Sequence, residues 1–426
     1  MKVSLGLLCL SAALSADVRI LTLRETVRLA LQQSPEAVLS RLEEQQAAYR
    51  VQIARDPFIP KAFAGSGLAY SSGFPMSIEG SAPTIVQARG VASVYDRQKK
   101  LELEQARENL RGAGIQGQGS REQLIHRTVN LYLEAARSQR MAETARKQVD
   151  SAEWIESIMK LRTEQGRELP LELKRAALET AKARQAAEAW GAEQEHAEAA
   201  LAAVLGMEPA ARVRAAPWDN QTLPAPPATA EEASEKALRD NPEIRRLESA
   251  MAAKRIEKKS YEAARYPKMD LIAQYGLFAR FNNYEDFFQK FQRHNGQLGL
   301  SLQIPLWTPP GQRAAAGAAD AESAKIAARI QSVRGRIVLD ARQSFQEVKK
   351  AETARQVARL DLDLARESLS VTLAQFEEGR ADLQQVERAR LMENEKWLLY
   401  YDAQHGLESA RFTLLHRAGE LAAVFQ

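Results

Sequence analysis

The chain has 426 residues, of which 27% are charged and only 6% aromatic, and Ala, Glu, Arg, Gln and Leu dominate its middle stretches. That is a composition for long helices and not for a thick globular core. Its 59 basic and 55 acidic side chains leave a formal net charge of +4, and the two signs are interspersed along helix faces, which excludes the basic block that nucleic-acid binding needs.

At the N-terminus, Lys2, an apolar run over residues 3–14 and the small residues Ser15 and Ala16 predict a secretory signal peptide over residues 1–16. The run is too short to span a bilayer, which takes about 20 residues, and no later segment is apolar enough to do so. A membrane-embedded mature chain must therefore use strands. The single cysteine, Cys9, lies inside the signal, and Gly6-Leu7-Leu8 before it is not the small-residue context of a lipid anchor. The mature chain then has no thiol for a disulfide, a redox centre or a thiolate metal site.

A first repeat is predicted over residues 17–216. It begins with a helix over 22–55, followed by strands near 61–70 and 84–95. A very long helix over 97–164 would reach roughly 100 Å at about 1.5 Å per residue. Gly166-Arg167-Glu168-Leu169-Pro170 breaks it, because Gly suits a left-handed terminating position and Pro suits the first turn of the next helix. That next helix runs to residue 205 and is stopped by Gly206 and Pro209. Pro217, Pro224, Pro226 and Pro227 mark an extended linker over 217–230.

The second repeat, 231–426, follows the same scheme: a helix over 241–265, strands near 268–278 and 297–306, and a long helix over 311–376. A turn at Glu378-Gly379-Arg380 then leads into a last helix from residue 382. Leu362, Leu369 and Phe376 recur at sevenfold spacing, a coiled-coil-like seam. The duplication shows in the residues themselves. Ala30-Leu31-Gln32-Gln33-Ser34-Pro35-Glu36 returns as Ala237-Leu238-Arg239-Asp240-Asn241-Pro242-Glu243, and Pro60-Lys61 and Pro267-Lys268 follow at the same distance.

The strands narrow the function. Leu298, Leu300, Leu302, Ile304 and Leu306 alternate with Gln297, Gly299, Ser301 and Gln303, giving one apolar and one wet face. Met269, Leu271, Ala273, Tyr275 and Leu277, and Val86, Ala88, Ala92 and Val94 in the first copy, repeat the pattern more loosely. Strands of about 10 residues suit a tilted membrane crossing. Four cannot close a barrel, and an open sheet in lipid would leave two unpaired edges at several kcal/mol per group. Neighbouring copies in a ring would have to complete eight, twelve or sixteen strands.

The order of these landmarks resembles the TolC-like outer-membrane efflux proteins, or outer membrane factors. The resemblance rests on Ser34-Pro35-Glu36 and Asn241-Pro242-Glu243, the two Pro-Lys pairs, Ile304-Pro305-Leu306-Trp307 running into Gly311-Gln312-Arg313, and the two Gly-Arg turns. It implies a mainly α fold with a small β part: duplicated coiled-coil helical hairpins forming a periplasmic α-barrel, and four strands per chain in a shared trimeric twelve-stranded β-barrel. It further implies an outer-membrane exit duct for tripartite efflux or type I secretion, a homotrimer in outer-membrane lipid. Its partners would be a periplasmic adaptor (membrane fusion) protein and an inner-membrane transporter, with no cofactor and no nucleic acid.

By the same resemblance, Gly166, Arg167, Glu168, Glu172, Gly379, Arg380, Asp382 and Gln385 would form the periplasmic tip, where the tunnel narrows and the adaptor docks. Relatives often carry acids a few positions past the tip glycine. The sixth position here is Glu172 in one copy and Gln385 in the other, which implies a less acidic ring. Val94-Tyr95-Asp96-Arg97-Gln98 also departs from the usual strand-to-helix junction. The plain alternative for the charged tip residues is helix capping in solvent.

Trp307 and Phe278 are candidates for an interfacial aromatic girdle, and the cluster Phe281, Tyr284, Phe287, Phe288 and Phe291 for a girdle or a small loop core. Gly112-Ala113-Gly114-Ile115-Gln116-Gly117 formally matches a dinucleotide fingerprint but follows a helix instead of a strand, so a softened point in the long helix is expected. His126, His196, His294, His405 and His416 show no metal-ligand spacing, and no enzyme motif emerges. The rival from another class is a soluble periplasmic coiled-coil adaptor or scaffold, which would bury both faces of its sheet.

Overall fold

The computed structural model describes residues 18–67, 84–216, 227–239, 241–278 and 294–425. The expected signal segment with Cys9, most of the Pro-rich linker and the Phe281–Phe291 cluster lie outside the described residues. In the first copy, α1 (Leu23–Gln33) and α2 (Pro35–Arg55) precede α3 (Arg97–Glu164) and α4 (Pro170–Val204). In the second, α5 (Ala230–Arg239) and α6 (Pro242–Ala263) precede α7 (Pro310–Glu377) and α8 (Leu383–Arg417), with a last turn, α9 (Leu421–Val424). The long helices α3 and α7 each have 68 residues and their successors α4 and α8 each have 35. No described helix is long and apolar enough to cross a membrane.

The chain packs into two compact units, each drawing on both repeats. One comprises residues 1–40, 118–241 and 334–426, the other 41–117 and 242–333.

The second unit holds four antiparallel strands in the order β2 (Lys61–Gly67), β3 (Thr84–Asp96), β5 (Lys268–Phe278), β6 (His294–Gln303); β1 (Val18–Leu21) and β4 (Arg212–Ala215) belong to the other unit. Directly opposed residues share a face, so the register sorts the side chains. Leu300 lies opposite Leu271 and Leu271 opposite Ala92, one band of an apolar face that also carries Ala62, Val86, Ala273, Leu298 and Leu302. Little covers that face: Leu298, Leu300 and Leu302 are 60% exposed or more. The last strand ends at Gln303, so Ile304 and Leu306, expected to continue it, fall beyond the ladder.

At the unusual junction, the register of β3 shifts between Ser93 and Tyr95, and this bulge brings Tyr95 opposite Met269. Asp96 is then turned inward, 3% exposed, where its Oδ1 accepts from the Lys99 backbone N–H at 3.1 Å and caps α3. Lys99 and Lys268 stand 3.6 and 3.8 Å from its carboxylate, compensating a charge that could not be buried alone. Helix α3 stays helical through Gly112–Gly117, where a Cβ on Gly112 would meet the Ser249 hydroxyl of α6 at 3.2 Å.

In the first unit, β1 (Val18–Leu21) pairs in parallel with β4 (Arg212–Ala215), an element that periodicity over four residues cannot show. Leu23, Val27, Leu124, Val129, Leu201 and Phe412 form the core beneath it. The Tyr132 hydroxyl donates to the Leu21 carbonyl at 3.2 Å. Glu198, 1% exposed, accepts from Arg214 and Gln194, each at 2.8 Å. The Ser-Pro signature has a local cause: the Ser34 hydroxyl accepts from the Ala37 N–H at 3.1 Å and starts α2. Gly206, at φ +70°, ends α4 so close by that a Cβ would lie 3.1 Å from the Gln33 carbonyl.

Candidate functional site

The two Gly-Arg turns are built alike. Gly166 and Gly379 have φ of +69° and +72°, and in each turn the arginine N–H reaches back to close the helix: Arg167 to the Arg162 carbonyl at 2.9 Å, Arg380 to that of Gln375 at 2.7 Å. This left-handed termination satisfies carbonyls that would otherwise be orphaned. The helices that follow start differently. Pro170 opens α4 with no side-chain cap, whereas Asp382 and Gln385 form a reciprocal capping box at α8, with Gln385 N–H donating to Asp382 at 2.8 Å. Asp382 and Gln385 thus hold the helix start.

The structure brings the turns together. Leu383 is buried against Ile155, Met159 and Ala176, and the Gln384 amide of α8 donates to the Glu172 carboxylate of α4. Glu172 also pairs with Arg175 at 2.8 Å, and Glu168 with Arg162 at 3.6 Å. Arg380 stays 77% exposed beside Glu378 at 3.3 Å, and Leu169 and Leu171 are exposed.

Sequence reasoning passed over Leu383, Gln384 and Glu387. A cleft of about 170 Å³ further along these helices from the turns is lined by Ile155, Glu179, Lys182, Glu387 and Arg390 among others. Burial, and then the like charges of Glu179 and Glu172, push the Glu387 carboxyl above its usual range. Its one available signal was its place one turn after Leu383, on the edge of the buried stripe. The site is therefore a helix junction that pairs or buries most of its acids while the arginine of each turn, Arg167 and Arg380, stays exposed.

The strand residues form a separate candidate site, in the other unit. Trp307, 75% exposed, follows the end of β6, whereas Phe278 ends β5 at the opposite end of the sheet. On the wet face, Gln87, Arg89, Asp270, Gln274, Gln297 and Ser301 share one side. Among the described residues no group of three or more His, Cys, Asp and Glu side chains gathers as a metal site.

Residues 233–419, most of the second copy, match the family described as Outer membrane efflux protein. No curated protein matches the chain by sequence. The chain is similar in structure to the CmeC outer membrane channel of Campylobacter jejuni, with a TM-score of 0.78 at 14% identity over 94% of this chain and 86% of that one. It is also similar to the outer membrane protein VceC of Vibrio cholerae (0.73, 16%, covering 93% and 96%). The MtrE outer membrane channel of Neisseria gonorrhoeae, solved in its open state, is similar too (0.72, 16%, covering 95% and 90%). The fold is thus that of the outer-membrane channel structures, and the second copy carries the efflux family's sequence pattern.

Proposed function

We propose that this protein is the outer-membrane exit duct of a tripartite efflux or type I secretion assembly, with a long periplasmic helical portion. The carrying observation is the four-stranded sheet. It exposes an apolar face, turns a mostly polar face the other way, and among the described residues leaves β2 and β6 without partners on their outer edges. Lipid suits the first, a water-filled lumen the second, and neighbouring copies the third. Three copies would give twelve strands. The two Gly-Arg turns would be the periplasmic tip, where Gly166, Arg167, Glu168, Glu172, Gly379, Arg380, Asp382 and Gln385 narrow the tunnel and meet an adaptor linked to an inner-membrane transporter. Trp307 and Phe278 would mark the two membrane interfaces.

A soluble adaptor would have to cover Leu298, Leu300 and Leu302, and within its unit nothing does. Native mass spectrometry on protein extracted by mild detergent from purified outer membranes tests the reading. A trimer is expected; monomer or dimer found only in the soluble periplasm would overturn it.

A further inference from the structure

Phe63 sits on the wrong side for an ordinary membrane strand. It is 60% exposed and lies directly opposite Arg89, Arg89 opposite Gln274, and Gln274 opposite Gln297. Opposed residues share a face, so this aromatic ring belongs to the wet face, and one band across all four strands reads aromatic, cation, amide, amide. The flanking bands, from Lys61 to Gly299 and from Gly65 to Asn295, contain no acid. Lys61 is engaged by Asp56, while Arg89 is exposed and has no carboxylate partner among the described residues. The nearest acid on this face of β5 is Asp270, two bands away opposite Ser93, which is about 13 Å along a strand.

A guanidinium offers a planar fork for a carboxylate or sulfonate, and a neighbouring aromatic ring offers a stacking surface. Together they match a flat ring bearing a negative charge. We propose that Phe63 and Arg89 form a selectivity band in the duct lumen that favours planar aromatic anions. This rests on reading the wet face as a lumen. Closure by three copies sets three such pairs at one height, where low-dielectric walls focus their field.

The test is block of ion current through the assembled full-length protein in planar bilayers, with naphthalene-1,5-disulfonate added to each side in turn. Arg89→Glu should raise the half-blocking concentration about tenfold or more, by reversing three charges at one height. Phe63→Ala should raise it about threefold, with Phe63→Leu as the control that keeps apolar volume but not the stacking face. Block unchanged in assembled Arg89→Glu pores would overturn the inference, and block unchanged in Phe63→Ala would remove its aromatic half. Absence of any conductance, in the wild type and in an Arg380→Glu variant alike, would instead sink the duct reading itself.

Discussion

The fold shifts the ionisation of Glu387 and of the pair His126 and His416 in opposite directions. Glu387 has its pKa raised by burial and by Glu179 and Glu172. A carboxyl raised on folding is least costly when protonated, so it destabilises the native state above about pH 4.5 and ceases to do so below it. Glu387→Gln is expected to raise the midpoint of thermal unfolding at neutral pH, with the gain vanishing toward pH 4; a loss at neutral pH would contradict this. His126 of α3 stacks on His416 of α8 with ring centroids 4.5 Å apart. The His126 Nε2 meets the Thr413 hydroxyl at 3.2 Å, while the buried His416 Nδ1 has no hydrogen-bond partner among the described residues. Burial lowers both pKa values, with Arg417 opposing protonation of each and His126 that of His416, which falls to about 4. The unfolded chain then binds more protons, so stability is lost as pH falls below about 6.5, for His416 down to about 4 at up to about 1.4 kcal/mol per pH unit, with His126 adding in the same direction. Urea unfolding followed across that range should show the slope, and the double variant His126→Phe, His416→Phe should flatten it.

At the scale of elements, the two turns combine a shared backbone solution with unequal side-chain anchoring. Asp382→Ala removes the cap of α8 and should cost about 1 kcal/mol, read as faster amide exchange confined to its first turn. Arg380, exposed beside Glu378, contributes little to stability by that pair. Arg380→Glu is therefore expected to change export in cells while leaving the unfolding midpoint within error; unchanged efflux would count against a role at the tip. The turns themselves were legible in Gly166, Gly379 and Pro170, since left-handed glycine and N-terminal proline are local signals. The bond from Gln384 to Glu172 was not, because residues more than 200 positions apart are joined only by packing.

For the whole molecule, the decisive property is that one sheet face is mostly apolar and the other mostly polar. Leu300→Arg places a charge on the apolar face, at about 2–4 kcal/mol near the bilayer midplane for each copy, and should deplete the assembled form in outer membranes. Gln297→Arg, one strand face over, should leave assembly intact. Equal loss from both variants would mean that the two faces do not see different solvents.

The sequence alone determined the duplicated order of helices and strands, the helix-stopping turns and the alternation from Leu298 to Leu302, because each depends on residues within a few positions of one another. Tertiary structure alone decided the pairing of Val18–Leu21 with Arg212–Ala215, the burial of Asp96 between two lysines and the placing of Phe63 beside Arg89. Those depend on register between distant segments, and a bulge such as that between Ser93 and Tyr95 reassigns every later side chain to the other face, which no local period can reveal.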